Sequence, residues 1–261
     1  MNDRERIAAE WESHRPALTQ YLARLVARQD VASELVQETA VRALEQQSVP
    51  NDAALLRAWF FRVATNLGLD YLRKHSTWRE NMLDLTKLHA QADAQFLADS
   101  RQLAGSPEMK SIAKDHVAVC FACTSRNLEP EESAVLLLKE VYDFTVEEVA
   151  EVIQSSFGRT KALLQSARAR LEAKYQGSCA LVAQNGACFQ CVELDRYFRA
   201  GAGDPLAGTR RDLDARLELV RARRDSPLGP WHQAMMRLVA EVLDEGPLPE
   251  ASGSGSPKRS S

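Results

Sequence analysis

Residues 128–174 read LEPEESAVLLLKEVYDFTVEEVAEVIQSSFGRTKALLQSARARLEAK, and helix starts are marked within them. Pro130 fits the first position of a helix, where a missing N–H costs nothing. Thr145 and Glu148 have the spacing of a capping box, in which each side chain accepts a hydrogen bond from the other residue's amide. Behind that cap an apolar stripe recurs at helical spacing through Val146, Val149, Ala150 and Ile153. Polar residues 154–156 then end the stripe and cap a further helix, so the pattern predicts three short helices and a tight turn.

Charge separates the last of these helices from the first two. Residues 128–151 are strongly acidic and contain Lys139 as their one cation, whereas the last helix carries Arg159, Lys161, Arg168, Arg170 and Lys174 against Glu172. Such a separation favours a basic helix that faces phosphates, held by helices that do not.

The spacing within the last helix also divides it into two faces. Four residues can point inward, namely Thr160, Leu164, Ala167 and Leu171. That arrangement leaves four others to reach a DNA groove, as in a helix-turn-helix: Arg159, Lys161, Gln165 and Arg168. Spacing alone leaves an alternative open, a helical bundle with a solvated basic face.

The composition is that of an ordinary soluble protein, with 45% hydrophobic and 26% charged residues in 261. A net charge of -3 means that any binding of nucleic acid depends on local patches. No apolar run approaches the roughly 20 residues that span a membrane, and the charged start MNDRERIAAEWESH lacks the apolar core of a signal peptide. We therefore expect a cytoplasmic protein without a membrane partner. Phosphate loops, paired catalytic carboxylates and nucleophile elbows are also missing, which argues against an enzyme.

Three amphipathic helices are predicted near the start of the chain. In residues 3–28 the expected buried positions are Ile7, Trp11, Leu18, Leu22 and Leu25. Residues 30–47 carry a stripe of Val31, Leu35, Val36, Val41 and Leu44. A third helix, from residue 53 to about 80, interleaves aromatic rings with cations, a combination that binds unpaired bases and their backbone. The alternative is that Trp59, Phe60 and Val63 are simply core residues.

Specific runs in these stretches resemble a known family. They are the Leu35-Val36-Gln37-Glu38-Thr39 run, the series Trp59, Asn66, Asp70 and Arg73, and the later set Gly158, Lys161, Ala167 and Arg168. In this order they are similar to region 2 and region 4 of bacterial extracytoplasmic-function sigma factors. Ser166, where the family often has a basic residue, and the bulky Phe157 depart from the pattern.

The resemblance implies a transcription initiation factor whose partners are core RNA polymerase and promoter DNA. It places polymerase binding on the helix at 30–47, with Leu35, Gln37, Glu38 and Arg42 as the contact residues. It places opening and holding of the minus-ten element on the next helix, with Trp59, Arg62, Asn66, Asp70 and Arg73. Arg159, Lys161, Gln165 and Arg168 would then contact the minus-thirty-five element. An anti-sigma factor is a further partner that the family implies.

The predicted fold is all-α, with the chain divided as the resemblance and the composition indicate. Residues 1–80 form the region-2 domain, 81–106 the linker and 107–175 the region-4 helix-turn-helix domain. Residues 176–245 form a mostly helical, cysteine-containing extension. The last stretch, 246–261, is rich in Pro, Gly and Ser, and we expect it to be disordered.

Five cysteines surround the helix-turn-helix domain in an unusual pattern. Two Cys-x2-Cys pairs supply four thiolates, and the complete candidate ligand set is Cys120, Cys123, Cys188, Cys191, Cys179 and His116. Four thiolates are what a tetrahedral structural zinc takes, so zinc or another thiophilic metal is the expected cofactor. Each cysteine alone is more often a small buried hydrophobe. The pattern favours a sigma factor regulated by metal or redox state, and the alternative is a metal- or redox-sensing helix-turn-helix regulator that acts without core polymerase.

Overall fold

Residues 3–45, 50–75, 92–95, 98, 127–178 and 213–226 are described by the computed structural model. Every regular element in these ranges is helical, which confirms the all-α prediction. The elements are α1 Asp3–Val26, α2 Gln29–Glu45, α3 Ala53–His75, α4 Pro130–Leu136, a π-helical turn Leu137–Val141, α5 Val146–Val152, α6 Phe157–Ser178 and α7 Leu213–Arg221. The predicted domain boundaries fall largely outside these ranges and stay predictions.

Helices α1, α2 and α3 pack mutually into what we call the N-terminal unit. Leu18, Leu22 and Leu25 of α1 are buried, as the periodicity predicts. The absence of a side chain at Gly68 lets α3 approach them closely, because a Cβ there would lie 2.8 Å from Cδ2 of Leu25. Glycine within a helix costs stability, so its presence in α3 is explained by this close approach of two helices.

Helix α2 buries a different face from the predicted stripe. Its buried residues are Val31, Ala32, Val36, Thr39 and Ala43. Val41 and Leu44 are instead 47% and 49% exposed. With 3.6 residues per turn, Val41 lies on the opposite side of the helix from the buried Ala32 and cannot share the buried face. The prediction that one apolar stripe of α2 is buried was therefore wrong for the residues after Val36.

Helices α4 to α6 form a second unit, which we call the helix-turn-helix unit. Pro130 occupies the start of α4, as predicted. The capping box of α5 is present: the Thr145 amide donates to Glu148 Oε2 at 2.6 Å, and the Glu148 amide donates to Thr145 Oγ1 at 3.2 Å. At the next turn the Arg159 amide donates to Ser156 Oγ at 3.3 Å. The helix starts read from the sequence are therefore confirmed.

The end of the first helix in this unit is wider than a regular α-helix. The Tyr142 amide donates to the carbonyl of Leu137 at 3.1 Å, a five-residue spacing, and the Phe144 amide donates to Leu138 at 3.1 Å. Asp143 between them has a positive φ of 59°, which a non-glycine residue rarely adopts. The widened turn buries both Tyr142 and Phe144 on the side that faces the N-terminal unit.

An aromatic joint, made of Tyr21, Phe61, Tyr142 and Phe144, connects the two units. The Phe61 ring lies 5.3 Å from Tyr21, 5.4 Å from Tyr142 and 5.0 Å from Phe144, measured between centroids. The Tyr21 hydroxyl also shares a 2.8 Å hydrogen bond with Thr65 Oγ1. Rings at these separations and tilts attract one another beyond their burial alone. The described units therefore form one continuous core.

Alkaline pH should weaken this joint. Burial raises the pKa of Tyr21 and Tyr142 above the ordinary 10.0, for Tyr142 to about 12. In the unfolded chain both rings ionise near pH 10, whereas the folded chain keeps them neutral. Stability that is present below pH 10 is therefore lost as the pH rises towards 12, by up to about 1.4 kcal/mol per pH unit for each ring. We expect urea unfolding between about pH 8 and 11 to show this decline.

Tyr142→Phe tests the origin of that decline, because it removes one titrating ring and keeps its volume. The slope of unfolding free energy against pH above 10 should be shallower in the variant than in the parent. Equal slopes would show that the phenol of Tyr142 is ionised in the folded chain as readily as in the unfolded one.

Candidate nucleic-acid and polymerase interfaces

Helix α6 has the buried face that its sequence predicts. Thr160, Ala167 and Leu171 are buried, and Leu164 is half-buried. The exposed residues on the other side of the helix are Gly158, Lys161, Ala162, Gln165 and Ala169, followed by Glu172 and Ala173. The part of this face before Glu172 combines one cation, one amide and three small residues, so a DNA backbone and base edges could approach it closely.

The four predicted contact residues of α6 do not share one face. Lys161 and Gln165 lie on the open side. Arg159 instead binds Glu131, with Nη2 and Oε2 separated by 2.6 Å. Arg168 is held between Glu140 and Asp214, each at 2.6 Å. Burial lowers the pKa of Arg168, but the hydrogen bonds that it donates to the two carboxylates outweigh that effect and leave the pKa raised.

Acidic residues of α4 bind the side of α6 next to Arg159. Glu132 is buried, accepts a 2.6 Å hydrogen bond from Ser166 Oγ and lies 3.5 Å from Arg170. Its other oxygen accepts from the Glu129 amide at 3.1 Å. The sequence suggested that the basic helix faces phosphates and that the acidic helices do not. In the structure these acidic and basic helices are partly bound to each other. Ser166, the departure from the family pattern, serves this internal contact.

The predicted DNA-binding residues of α3 differ in their exposure to solvent. Trp59, Arg62 and Asn66 are half-buried, whereas Asp70 and Arg73 are exposed and form a 2.5 Å ion pair. An open pocket of about 200 Å³ lies where the first part of α3 meets α5, and its lining residues are Pro50, Leu55, Ala58, Trp59, Arg62, Glu151 and Val152. Helix α5 therefore stands beside the Trp59 and Arg62 side of α3 in this arrangement.

Arg57 is a residue of α3 whose role the sequence did not indicate. Its Nη2 donates to the carbonyl of Tyr142, and its guanidinium carbon lies 4.1 Å from the centroid of the Phe144 ring. Burial lowers the pKa of Arg57, and the nearby Glu148 carboxylate opposes that effect. A cation over an aromatic face is attracted by the ring, so Arg57 ties the N-terminal unit to the helix-turn-helix unit.

The predicted polymerase-binding residues lie on the accessible side of α2. Gln37, Glu38 and Arg42 are exposed, and Leu35 is half-buried. Glu38 and Arg42 form an ion pair at 2.8 Å across one helical turn. Val41 and Leu44 are exposed on the same helix. Charged and apolar side chains are thus both available for a protein partner on α2.

Comparisons with known proteins bear on the whole chain. The family model described as Sigma-70 region 2 matches residues 11–77, the part that holds α2 and α3. A probable extracytoplasmic-function (ECF) RNA polymerase sigma factor, SigI of Mycobacterium tuberculosis, is 26% identical over 252 residues, which cover 93% of this chain and 83% of SigI. The chain is an ECF sigma factor. Similar relatives of the sigma factor include SigG of M. tuberculosis, 25% identical over 92% of this chain and 66% of its own, and SigZ of Bacillus subtilis, 22% identical over 72% and 90%.

These relatives do not favour the alternative of a regulator that acts without polymerase, since their names are those of RNA polymerase sigma factors. The names of these relatives are also consistent with the prediction that the chain is an initiation factor and not an enzyme. Within the ranges that the structure describes, none of the helices has the length and apolar character needed to cross a membrane.

The metal ligands predicted for the sigma factor cannot be placed. His116, Cys120, Cys123, Cys179, Cys188 and Cys191 all lie outside the described residues. Among the residues inside them, no group of three or more His, Cys, Asp or Glu side chains could hold a metal ion. The proposed thiophilic site therefore remains a prediction from the sequence.

Proposed function

We propose that the sigma factor uses three separate surfaces during initiation. The exposed side of α2, around Gln37, Glu38 and Arg42, binds core RNA polymerase. Helix α3 opens and holds the minus-ten element with Trp59, Arg62, Asn66, Asp70 and Arg73. The Lys161 and Gln165 face of α6 reads the minus-thirty-five element in the major groove. The observation that carries this proposal is the open face of α6, which follows a correctly capped turn in a chain whose residues 11–77 match region 2.

Arg159 and Arg168 take a secondary part in this proposal. Both are bound to carboxylates of the same chain. They reach phosphate only where DNA displaces those partners, and a charge-assisted contact of this kind depends strongly on salt. Lys161 and Gln165 are therefore the residues that first meet the groove.

Regulation through the cysteines belongs to the same proposal. One Cys-x2-Cys pair precedes the helix-turn-helix unit and the other follows it. A thiophilic metal bound by both pairs, or their oxidation, would change how the extension lies on that unit. Such a factor works where core polymerase works, so we place it in the cytoplasm.

Run-off transcription tests the proposed function directly. The assay combines purified core RNA polymerase and the sigma factor on DNA from upstream of its own gene, with zinc, copper, chelator or oxidant added in turn. We expect specific transcripts that require the sigma factor and that change with metal or oxidant. A matched chain with all five Cys→Ser changes should transcribe but lose that response.

Different failures affect different parts of the proposal. A chain that does not bind core polymerase would overturn the role as an initiation factor. Transcription that is indifferent to metal, oxidant and the cysteine changes would overturn only the regulation.

A further inference from the structure

Helix α7 lies across the boundary between the two units. Its residues Leu213, Leu217 and Val220 are buried, and it packs on the π-helical turn that ends at Val141. A single helix of nine residues is too short to be stable alone in water, so these contacts hold it in place. The residues that α7 contacts in each unit decide how it affects the arrangement of the two units.

The N-terminal end of α7 is bound to α6. Asp214, in the first turn, lies 2.6 Å from Arg168 of α6. A carboxylate in a first turn also stabilises the helix that carries it. Arg221, the last residue of α7, lies 3.0 Å from Glu140 and donates to the Glu140 carbonyl. Arg168 and Arg221 thus share the buried carboxylate of Glu140.

The other end of α7 is bound to the N-terminal unit. Arg24 of α1 is 3% exposed, and it donates to the carbonyls of Arg224 at 2.9 Å and Arg223 at 3.2 Å. Carbonyls that follow a helix carry partial negative charge, which a guanidinium neutralises. Arg24 also lies 3.4 Å from the Tyr142 hydroxyl of the aromatic joint. On the outer side Arg224 binds Asp143 at 2.6 Å.

We propose that residues 213–226 are a built-in clamp that holds the two DNA-binding units together and keeps Arg168 away from promoter DNA. In this closed arrangement α5 lies beside Trp59 and Arg62 of α3. The clamp binds one unit through Arg24 and the other through Arg168 and Glu140. Its release removes Asp214 from Arg168, which leaves Glu140 as the carboxylate that DNA must displace, and lets α3 and α6 separate to reach two promoter elements. This inference rests on the proposed function for its consequence on DNA, but the clamp itself can be tested without DNA.

Two clamp variants of the full-length chain and one control test the proposal. Leu217→Asp places a carboxylate at a fully buried position of α7 and should undock the helix. Asp214→Arg changes an exposed residue, so folding is spared, and places a cation against Arg168. The control is Ala222→Asp, which adds the same charge as Leu217→Asp at an exposed position in the same segment.

Hydrogen exchange is the first measurement. Leu217→Asp should raise amide exchange over residues 137–144 by about tenfold or more, while the contact of α1 with α2 stays protected. Ala222→Asp should match the parent. Unchanged exchange over 137–144 in both clamp variants would overturn the clamp.

Binding of labelled duplex from upstream of the gene, measured by fluorescence anisotropy, is the second measurement. If only a small open fraction binds DNA, then opening raises the apparent affinity in proportion. We expect about threefold tighter binding for Asp214→Arg and about tenfold for Leu217→Asp, with Ala222→Asp unchanged. Faster exchange without tighter binding would show that the closed state does not restrict DNA, which overturns the inhibitory role. Run-off transcription by the parent in the same preparation separates that result from failure of the proposed function.

Discussion

Phe61→Ala should lower the free energy of unfolding by about 3–5 kcal/mol, the usual loss when a buried phenylalanine becomes alanine. The ring is fully buried and touches Tyr21 from its own unit and Tyr142 and Phe144 from the other. Its removal leaves a cavity at the joint that the two rigid units cannot fill by relaxing. Chemical denaturation followed by far-ultraviolet circular dichroism measures the loss.

Phe60→Ala is a matched control for that prediction. Phe60 is equally buried and neighbours Phe61 in α3, but its ring partners are Trp11 and Trp59 at 5.6 Å and His14 at 6.0 Å, all in the N-terminal unit. Both variants should lose comparable stability. Of the two variants, only Phe61→Ala should also speed amide exchange over residues 137–144, because the Phe61 ring packs on Tyr142 and Phe144 of the second unit.

Two results would contradict this account of the joint. Destabilisation by Phe61→Ala of less than about 1 kcal/mol would mean that the ring is not packed between the units. Equal loss of protection over residues 137–144 in both variants would mean that the N-terminal unit supports the second unit as a whole, without a specific joint.

Lys161→Glu should reduce promoter-directed transcription by about tenfold or more while binding of core polymerase stays as in the parent. Lys161 is exposed on the open face of α6, where it can neutralise a phosphate. Reversal of its charge removes that contact and adds a repulsion. Run-off yield at limiting holoenzyme measures the loss, and titration with core polymerase measures the retained binding.

Lys139→Glu is the matched control, since it makes the same charge change in the same unit but in the π-helical turn. It should transcribe like the parent. The salt dependence of DNA binding should also become shallower in Lys161→Glu alone, because fewer counterions are released from DNA. Normal transcription by Lys161→Glu, or equal damage in both variants, would show that the open face of α6 does not contact the promoter.

Local chemistry explains why some of the structure could be predicted. The cap of α5 depends on Thr145 and Glu148, which are three residues apart, and the structure contains both of its hydrogen bonds. The buried face of α6 follows from a period of 3.6 residues, and Thr160, Ala167 and Leu171 lie on it. Such features involve neighbours in the chain, so an amino-acid sequence carries them almost completely.

The same reasoning failed where a residue had a choice of partners. Val41 and Leu44 are apolar, yet they are exposed because the smaller Thr39 and Ala43 face the core. Arg159 and Arg168 have the charge that a phosphate requires, but carboxylates of Glu131, Glu140 and Asp214 occupy them. Periodicity and charge identify what a side chain can bind, and the nearest available group decides what it does bind.

The sequence by itself determined the helical class, the capped turn before α6 and the residues that resemble sigma regions 2 and 4. Only the tertiary structure decided that Phe61 meets Tyr142 and Phe144, and that Arg24 binds carbonyls 199 and 200 residues further along the chain. The physical reason is the separation along the chain between the groups that interact. Caps and helical faces arise from groups a few residues apart, whereas the joint and the clamp depend on surfaces that meet only after each unit has folded.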